Sequence, residues 1–181
     1  MRVLAAAAIA LVVSGLAGCA GTWRDKPRDA LSASATLKNK DGQAVGLATL
    51  VETTNGVTIV VSANRLSPGP KGVHIHAVGL CEPAGFTSAG DHFNPDGKKH
   101  GRLGSGGPHA GDLPNIVIDA GGDGRVEVTT RKVTLRPGTP RSLIAEKGTA
   151  MVIHAQEDDE KTDPTGNSGD RIACGAIIPQ P

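Results

Sequence analysis

The chain has 181 residues, enough for one domain with a real core and too few for two ordinary domains. Its 19 basic and 18 acidic residues give a net charge of +1, which leaves no basic excess for holding nucleic acid, so a nucleic-acid partner is not expected. Aromatic residues make up only 2%, whereas Gly (25) and Pro (12) are plentiful, so the composition favours short aliphatic strands joined by many turns.

The N-terminus is typical of an export signal. Arg2 is followed by the apolar run LAAAAIALVV, which is too short to span a bilayer, and then by LAGC at residues 16–19. The small residues before Cys19 resemble the lipobox of bacterial lipoproteins, which implies cleavage after Gly18 and acylation of Cys19. Ordinary signal cleavage with an incidental Cys19 is the alternative.

These features predict three parts of the chain. Residues 1–18 form a lipoprotein signal peptide, residues 19–29 a lipidated N-terminus and tether, and residues 30–181 the folded domain. The protein is expected to be exported to the periplasm and anchored there by its lipid. Ala20 rather than Asp follows the acylated position, which favours the outer membrane.

From residue 30 onward, short runs of alternating and β-branched residues are separated by turn residues. The runs are LSASATLKN, VGLATLVET, VTIVVSANRL, GVHIHAVG, NIVIDA, RVEVTTRKVTL, TAMVIHA and RIACGAII. Two irregular segments, residues 80–114 and 156–170, are long enough to suggest functional loops. The pattern predicts an all-β fold, an antiparallel sandwich or barrel of about eight strands.

Cysteine usage agrees with export. If Cys19 carries lipid, Cys81 and Cys174 remain as a pair and can form one disulfide in an oxidising compartment. Two free buried thiols are the alternative.

The histidines are concentrated near the two long segments. In a strand His74 and His76 project from one face while Val73 and Ile75 project from the other, so one face can enter the core and the other can chelate a metal. Such a pair alone is a weak indication, because surface histidines also occur at this spacing. The remaining candidates are His92, His100, His109, Asp112 and His154. Imidazole suits copper and zinc, and three imidazoles with a carboxylate suit zinc.

At this point the chain closely resembles copper-zinc superoxide dismutases, in particular bacterial lipoprotein-type members. The segments GVHIHAVG, HFNP, KKHG, GPHAGDLPNI, MVIHAQEDD and GNSGDRIACG follow that family's motifs in order, over about residues 31–178. The resemblance implies an eight-stranded antiparallel Greek-key β-barrel with a metal-binding loop and an electrostatic loop. It also implies dismutation of superoxide to oxygen and hydrogen peroxide.

The resemblance further implies one copper and one zinc per subunit. Copper would be bound by His74, His76, His92 and His154, and zinc by His92, His100, His109 and Asp112. His92 would bridge the metals as an imidazolate, a species plausible only between two cations.

Three further roles follow from the same motifs. Asp158 would link the outer nitrogens of a copper and a zinc histidine. Arg171 would attract the superoxide anion and hydrogen-bond to it, and would be catalytic together with His92. The Cys81–Cys174 disulfide would hold the loop behind Arg171.

Two other classes of function remain to be weighed. A metal-binding lipoprotein that buffers or delivers copper could use the same scaffold, but it would need neither Arg171 nor a shared His92. A purely structural β-domain does not explain why all six histidines occupy matching positions. The subunit could be a monomer or a homodimer.

Overall fold

The computed structural model describes residues 31–181. The predicted signal peptide, Cys19 and the tether lie outside the described residues, so these assignments stay predictions. Within residues 31–181 no helix is long and apolar enough to cross a membrane. The single helical element of that range is the short 3₁₀ turn Thr87–Ala89.

Ten antiparallel strands form one sheet that curls into a nearly closed barrel. The strands are β1 (Ser32–Lys38), β2 (Ala44–Thr53), β3 (Gly56–Ala63), β4 (Gly69–Lys71), β5 (Val73–His76), β6 (Ile116–Ile118), β7 (Gly124–Thr130), β8 (Ala150–His154), β9 (Arg171–Ala176) and β10 (Ile178–Gln180). Their order is β4-β6-β7-β3-β2-β1-β9-β8-β5, and β10 pairs with β1. The two edge strands, β4 and β5, are joined by Gly72 alone, so they lie next to each other. The predicted all-β antiparallel fold is therefore confirmed.

The first three strands show why these residues form a sheet. In β1 the residues Ala33, Ala35 and Leu37 are buried and the residues between them are not, as the two-residue period of a strand requires. Gly42, in the turn to β2, and Gly56, the first residue of β3, have φ angles of 78° and 120°, which glycine adopts at little steric cost. The buried side chains of these strands join the main hydrophobic core.

The strand count is ten instead of the predicted eight. The segment SPGPKG, which lies between the predicted runs VTIVVSANRL and GVHIHAVG, contains β4, whose three residues pair with β6. The predicted last strand is divided at Ile177, and its end becomes β10 beside β1. The predicted strand over residues 125–135 ends at Thr130. Beyond it, the Glu52 carboxylate accepts hydrogen bonds from the Thr134 hydroxyl and the Leu135 N–H, so a side chain replaces the strand ladder there.

Strands β5 and β8 carry histidines to one face of the barrel wall. Val73 and Ile75 are buried in the main core, while His74 and His76 project from the opposite face. On that face His74 is paired with Val152, and His76 with Ala150, on β8. His154 follows Val152 by two residues, so it faces the same way.

A second small core covers part of this face. It consists of Phe86, Ala89, Ala150, Val152 and Cys174, with Cys81 packed against them. Cys81 and Cys174 form the predicted disulfide, with their Cα atoms 5.6 Å apart. The long segment after Cys81 is thereby fixed to β9.

Candidate metal centre

Two sets of buried donor atoms lie side by side between the barrel wall and the long loops. In the first set, one donor atom from each of His74, His76, His92 and His154 lies within 4.8 Å of the others. In the second, the same is true of His74, His92, His100 and Asp112. The structure thus brings together all four predicted copper ligands, and three of the four predicted zinc ligands with His74 beside them.

His109, the remaining predicted zinc ligand, is also close to the second set. Its Nδ1 is 3.2 Å from Asp112 Oδ1 and 3.4 Å from His92 Nδ1. His74, by contrast, uses its Nε2 in a hydrogen bond to Asp158, which leaves only Nδ1 free. We therefore assign His109 to the second set and His74 to the first.

Each histidine of the first set turns one ring nitrogen away from the cluster. His76 Nδ1–H donates to the Gly90 carbonyl at 2.8 Å, and His154 Nδ1–H donates to the Gly169 carbonyl at 3.1 Å. These bonds set the tautomer and leave the opposite nitrogen as a lone pair. The inward nitrogens are buried and have no hydrogen-bond partner among the described residues: His74 Nδ1, His76 Nε2, His92 Nε2 and His154 Nε2.

His92 lies between the two sets with one nitrogen facing each. Its Nε2 is the unpartnered atom of the first set, and its Nδ1 is 3.1 Å from Asp112 Oδ1 in the second. One ring can therefore offer a lone pair to each set only after it has lost both protons. Two nearby cations would stabilise that imidazolate.

The second set converges on the Asp112 carboxylate. The Nδ1 atoms of His92, His100 and His109 lie 3.1, 3.1 and 3.2 Å from its oxygens. A tetrahedral zinc with bonds of about 2.0–2.1 Å separates its donors by about 3.3–3.4 Å, so the spacing fits zinc. The first set, four imidazole nitrogens and no carboxylate, suits copper. The residues present therefore fit both metals.

Asp158 connects the two sets through the outer ring nitrogens of two histidines. Its Oδ2 accepts a hydrogen bond from His74 Nε2–H at 2.7 Å, and its Oδ1 accepts one from His100 Nε2–H at 3.0 Å. The main chain of Asp158 is fixed by paired hydrogen bonds with the Asn115 side chain, each 2.9 Å long. The carboxylate thus joins His74 of the first set to His100 of the second.

Burial keeps three histidines of the first set, His74, His76 and His154, neutral. It lowers the pKa of His74 to about 4, that of His154 to about 3 and that of His76 to about 2. Burial also lowers the pKa of His109. Neutral imidazole is the form that binds metal, so these side chains are ready to do so at neutral pH.

The carboxylates have the opposite effect on His100. Burial alone would lower its pKa, but hydrogen bonds with Asp112 and Asp158 raise it to about 10. Burial opposes ionisation of Asp112, yet hydrogen bonds from His100 and His92 hold the pKa of Asp112 well below its usual range. In the metal-free protein the Asp112 carboxylate is therefore ionised beside a protonated His100, and a zinc ion bound there would displace the proton from the inward nitrogen of His100.

Arg171 borders the cleft that leads to the histidines. The cleft has a volume of about 610 Å³ and is lined by His92, His109, Asp91, Pro140 and Arg171, among others. Arg171 Nη1 donates to the Phe86 carbonyl and Nη2 to the Gly90 carbonyl, both at 2.7 Å. Partial burial lowers the pKa of Arg171, and the Asp91 carboxylate opposes that shift.

Some functional groups escaped the sequence-based reasoning. The carbonyl groups of Gly90 and Gly169 orient His76 and His154. Every residue type has a backbone carbonyl, so the sequence does not reveal which positions act as such acceptors. The Asn115 side chain holds the main chain of Asp158. Asn115 lies in the motif GPHAGDLPNI, as Asp112 does, and this position is the one feature of the sequence that could have indicated its role.

Comparisons with known proteins agree with this geometry. The family model for copper/zinc superoxide dismutase (SODC) matches residues 44–177. "Superoxide dismutase [Cu-Zn] 2" of Aquifex aeolicus is 52% identical over 148 residues, covering 81% of this chain and 86% of that protein. "Superoxide dismutase [Cu-Zn]" of Caulobacter vibrioides is 37% identical, covering 81% and 85%.

A solved structure gives the same result. The crystal structure of a SOD-like protein from Bacillus subtilis superposes with a TM-score of 0.76 at 42% identity, covering 80% of this chain and 97% of that one. The family match extends over most of the chain and includes every residue of the two donor sets. The chain belongs to the copper/zinc superoxide dismutase family.

Proposed function

We infer that the protein is an enzyme that converts two superoxide ions and two protons into oxygen and hydrogen peroxide. The observation that carries this conclusion is the position of His92, with an unpartnered Nε2 facing three other histidines and an Nδ1 facing a zinc-like set. Family membership independently supports the activity.

The protein side chains divide the remaining work. When bound, copper supplies one-electron exchange with superoxide, and zinc supplies positive charge on the Nδ1 side of His92. The Nε2 of His92 faces the cluster, so a proton held there is positioned for delivery to the peroxide product. Arg171 borders the same cleft and attracts the superoxide anion.

A copper-buffering role is less well supported. A copper buffer needs donors that bind one metal, but it needs neither a histidine ring shared by two donor sets nor a guanidinium group at the cleft that leads to them. Both features are present here, in His92 and Arg171. The arrangement therefore favours turnover over storage.

The test is stopped-flow decay of superoxide by the chain from Ala20 onward, loaded with copper and zinc, against the metal-free protein. We expect fast, copper-dependent decay. Tight binding of both metals without acceleration would instead support the metal-handling role.

We further propose that the enzyme is a lipoprotein of the periplasm, cleaved after Gly18 and acylated at Cys19, which protects that compartment from superoxide. The LAGC sequence at residues 16–19 supports acylation. The Cys81–Cys174 disulfide supports an oxidising compartment. Ala20 at the position after the anchor favours the outer membrane.

Fractionation of expressing cells tests the anchor. The wild-type protein should incorporate labelled palmitate and sediment with outer membranes, whereas Cys19→Ser should do neither. A wild-type protein found in the soluble fraction without label would contradict the proposal.

A further inference from the structure

Asp163, in the second irregular segment at residues 156–170, brings a further carboxylate next to the second donor set. Asp163 Oδ1 accepts a hydrogen bond of 2.7 Å from the backbone N–H of His100. The same oxygen lies 4.0 Å from His109 Nε2. Asp163 therefore contacts the main chain of one zinc donor and faces the ring of another.

The outer nitrogen of His109 has no hydrogen-bond partner among the described residues, so the approach of Asp163 is the contact that bears on it. The outer nitrogens of His74 and His100 are held by Asp158, and those of His76 and His154 by backbone carbonyls. The inward Nδ1 of His109 faces Asp112 and His92, and its outer Nε2 faces Asp163.

The loop holds Asp163 in place through its neighbours. The Asp159 carboxylate accepts hydrogen bonds from the backbone N–H groups of Lys161 and Thr162 and from the Asn167 side chain. These bonds fold the segment that presents Asp163. Directly after it, Pro164 and Thr165 line the cleft together with His109.

We propose that Asp163 is a positioning residue for zinc, which fixes the backbone at His100 and the ring of His109. A negative oxygen facing Nε2 favours the tautomer with its proton there, which leaves the Nδ1 lone pair for the metal. The inference rests on the proposed copper-zinc function, because it assigns zinc to the set around Asp112.

The two contacts differ in strength. The bond to the His100 N–H is short and direct. The 4.0 Å approach to His109 exceeds hydrogen-bond range and acts through charge, which solvent weakens because the Asp163 side chain is 49% exposed. We therefore expect the charge contribution to be the smaller part.

Two variants separate the contributions. Asp163→Asn keeps an oxygen that can accept the His100 N–H but removes the charge facing His109, whereas Asp163→Ala removes both. The matched control is Glu157→Gln, in the same loop: Glu157 is exposed and has no side-chain hydrogen bond to any described residue.

The experiment measures zinc and copper affinity of the whole protein by competition with a chromophoric chelator. The visible spectrum of Co²⁺ at the zinc site is recorded as well, because it reports donor geometry independently of activity. We expect zinc to bind about 10- to 100-fold more weakly in Asp163→Ala and about threefold to tenfold more weakly in Asp163→Asn. Copper affinity should be unchanged and the Co²⁺ bands altered.

The proposal is overturned if Asp163→Asn matches wild type and Glu157→Gln in zinc affinity and Co²⁺ spectrum, or if copper affinity falls equally. Asp163→Asn decides the matter even if Asp163→Ala does not fold. Failure of the proposed function is a separate result, namely a wild-type protein that binds both metals without accelerating superoxide decay.

Discussion

His76 and Arg171 share one acceptor, the carbonyl oxygen of Gly90. His76 Nδ1–H donates to it at 2.8 Å and Arg171 Nη2 donates to it at 2.7 Å. The Gly90 carbonyl thus sets both the orientation of the His76 ring in the first donor set and the position of the Arg171 guanidinium at the cleft. A change at Gly90 would therefore affect metal binding and substrate attraction together, whereas a change at Arg171 should affect mainly the substrate.

Arg171→Ala should slow superoxide decay while both metals stay bound, because the guanidinium is the cation that borders the cleft. Superoxide dismutases are a standard example of electrostatically steered enzymes, and from that class we expect a loss of about tenfold in kcat/KM. Stopped-flow decay at several salt concentrations, with metal analysis, is the measurement. Arg171→Lys, which keeps the charge, should lose less. Loss of copper or zinc in Arg171→Ala would contradict a pure guidance role.

The buried histidines predict how the metal-free protein responds to acid. His74, His76 and His154 have folded pKa values of about 4, 2 and 3 against 6.5 unfolded, so the unfolded chain binds more protons below pH 6.5. Stability therefore falls as the pH drops from 6.5 towards 4, by at most about 1.4 kcal/mol per pH unit for each histidine.

His100 does not offset this loss. Its raised pKa of about 10 gives a stabilisation that is complete below pH 6.5 and is lost progressively as the pH rises from 6.5 through 10. Denaturant unfolding of the metal-free protein should thus show lower stability at pH 5 than at pH 7. Equal or greater stability at pH 5 would show that these histidines are not buried as neutral groups.

The two long loops act as one structural element because they bond to each other across the metal sites. Asp158 of the second loop reaches His100 of the first, and Arg102 forms an ion pair with Glu160. Gly166 passes directly behind Asp158 with a φ of 63°. A Cβ atom there would overlap Asp158 Oδ1 and lie 2.6 Å from His100 Nε2.

Gly166→Ala should therefore displace Asp158 and weaken zinc binding about tenfold or more, as loss of an outer partner of a ligand does. Gly97→Ala is the matched control, since Gly97 has a similar φ of 60° and a Cβ atom added to it would meet no other atom within 4 Å. Both variants incur a similar backbone strain, so only the collision differs. Zinc competition measures the effect, and equal affinities in the two variants would contradict the role assigned to Gly166.

At the scale of the whole molecule, a rigid barrel supplies part of the site and the loops supply the rest. His74, His76 and His154 come from adjacent strands, whereas His92, His100, His109 and Asp112 come from the first long loop. The Cys81–Cys174 bond joins the start of that loop to β9, which begins with Arg171. The disulfide therefore links the stability of the fold to the geometry of the mouth.

Replacing both cysteines by serine should lower stability and activity together. The bond spans 93 residues, for which the chain-entropy treatment gives a loss of about 4–5 kcal/mol. Activity should also fall, because the Phe86 and Gly90 acceptors of Arg171 lie in the loop that the bond restrains. Denaturant unfolding and stopped-flow decay measure the two effects. Unchanged stability would show that the loop is held by packing around Phe86 alone.

The sequence by itself was sufficient for the all-β fold and for one shared face of His74 and His76, because strand alternation is a local property of the backbone. Its ordered motifs also indicated the family. It overestimated the strand at residues 125–135, since a distant carboxylate, that of Glu52, binds the backbone beyond Thr130.

Only the tertiary structure decided which nitrogen of each ring faces inward. It also shows why Asp158, the acid that the family motif indicated within the run Glu157, Asp158, Asp159 and Glu160, is the one that reaches the histidines. Composition could not distinguish these four side chains. Asp158 is selected because Asn115 holds its backbone where the two loops meet, so that both carboxylate oxygens point at imidazoles. Contacts between segments far apart in the chain determine such choices, and they exist only once the barrel has brought those segments together.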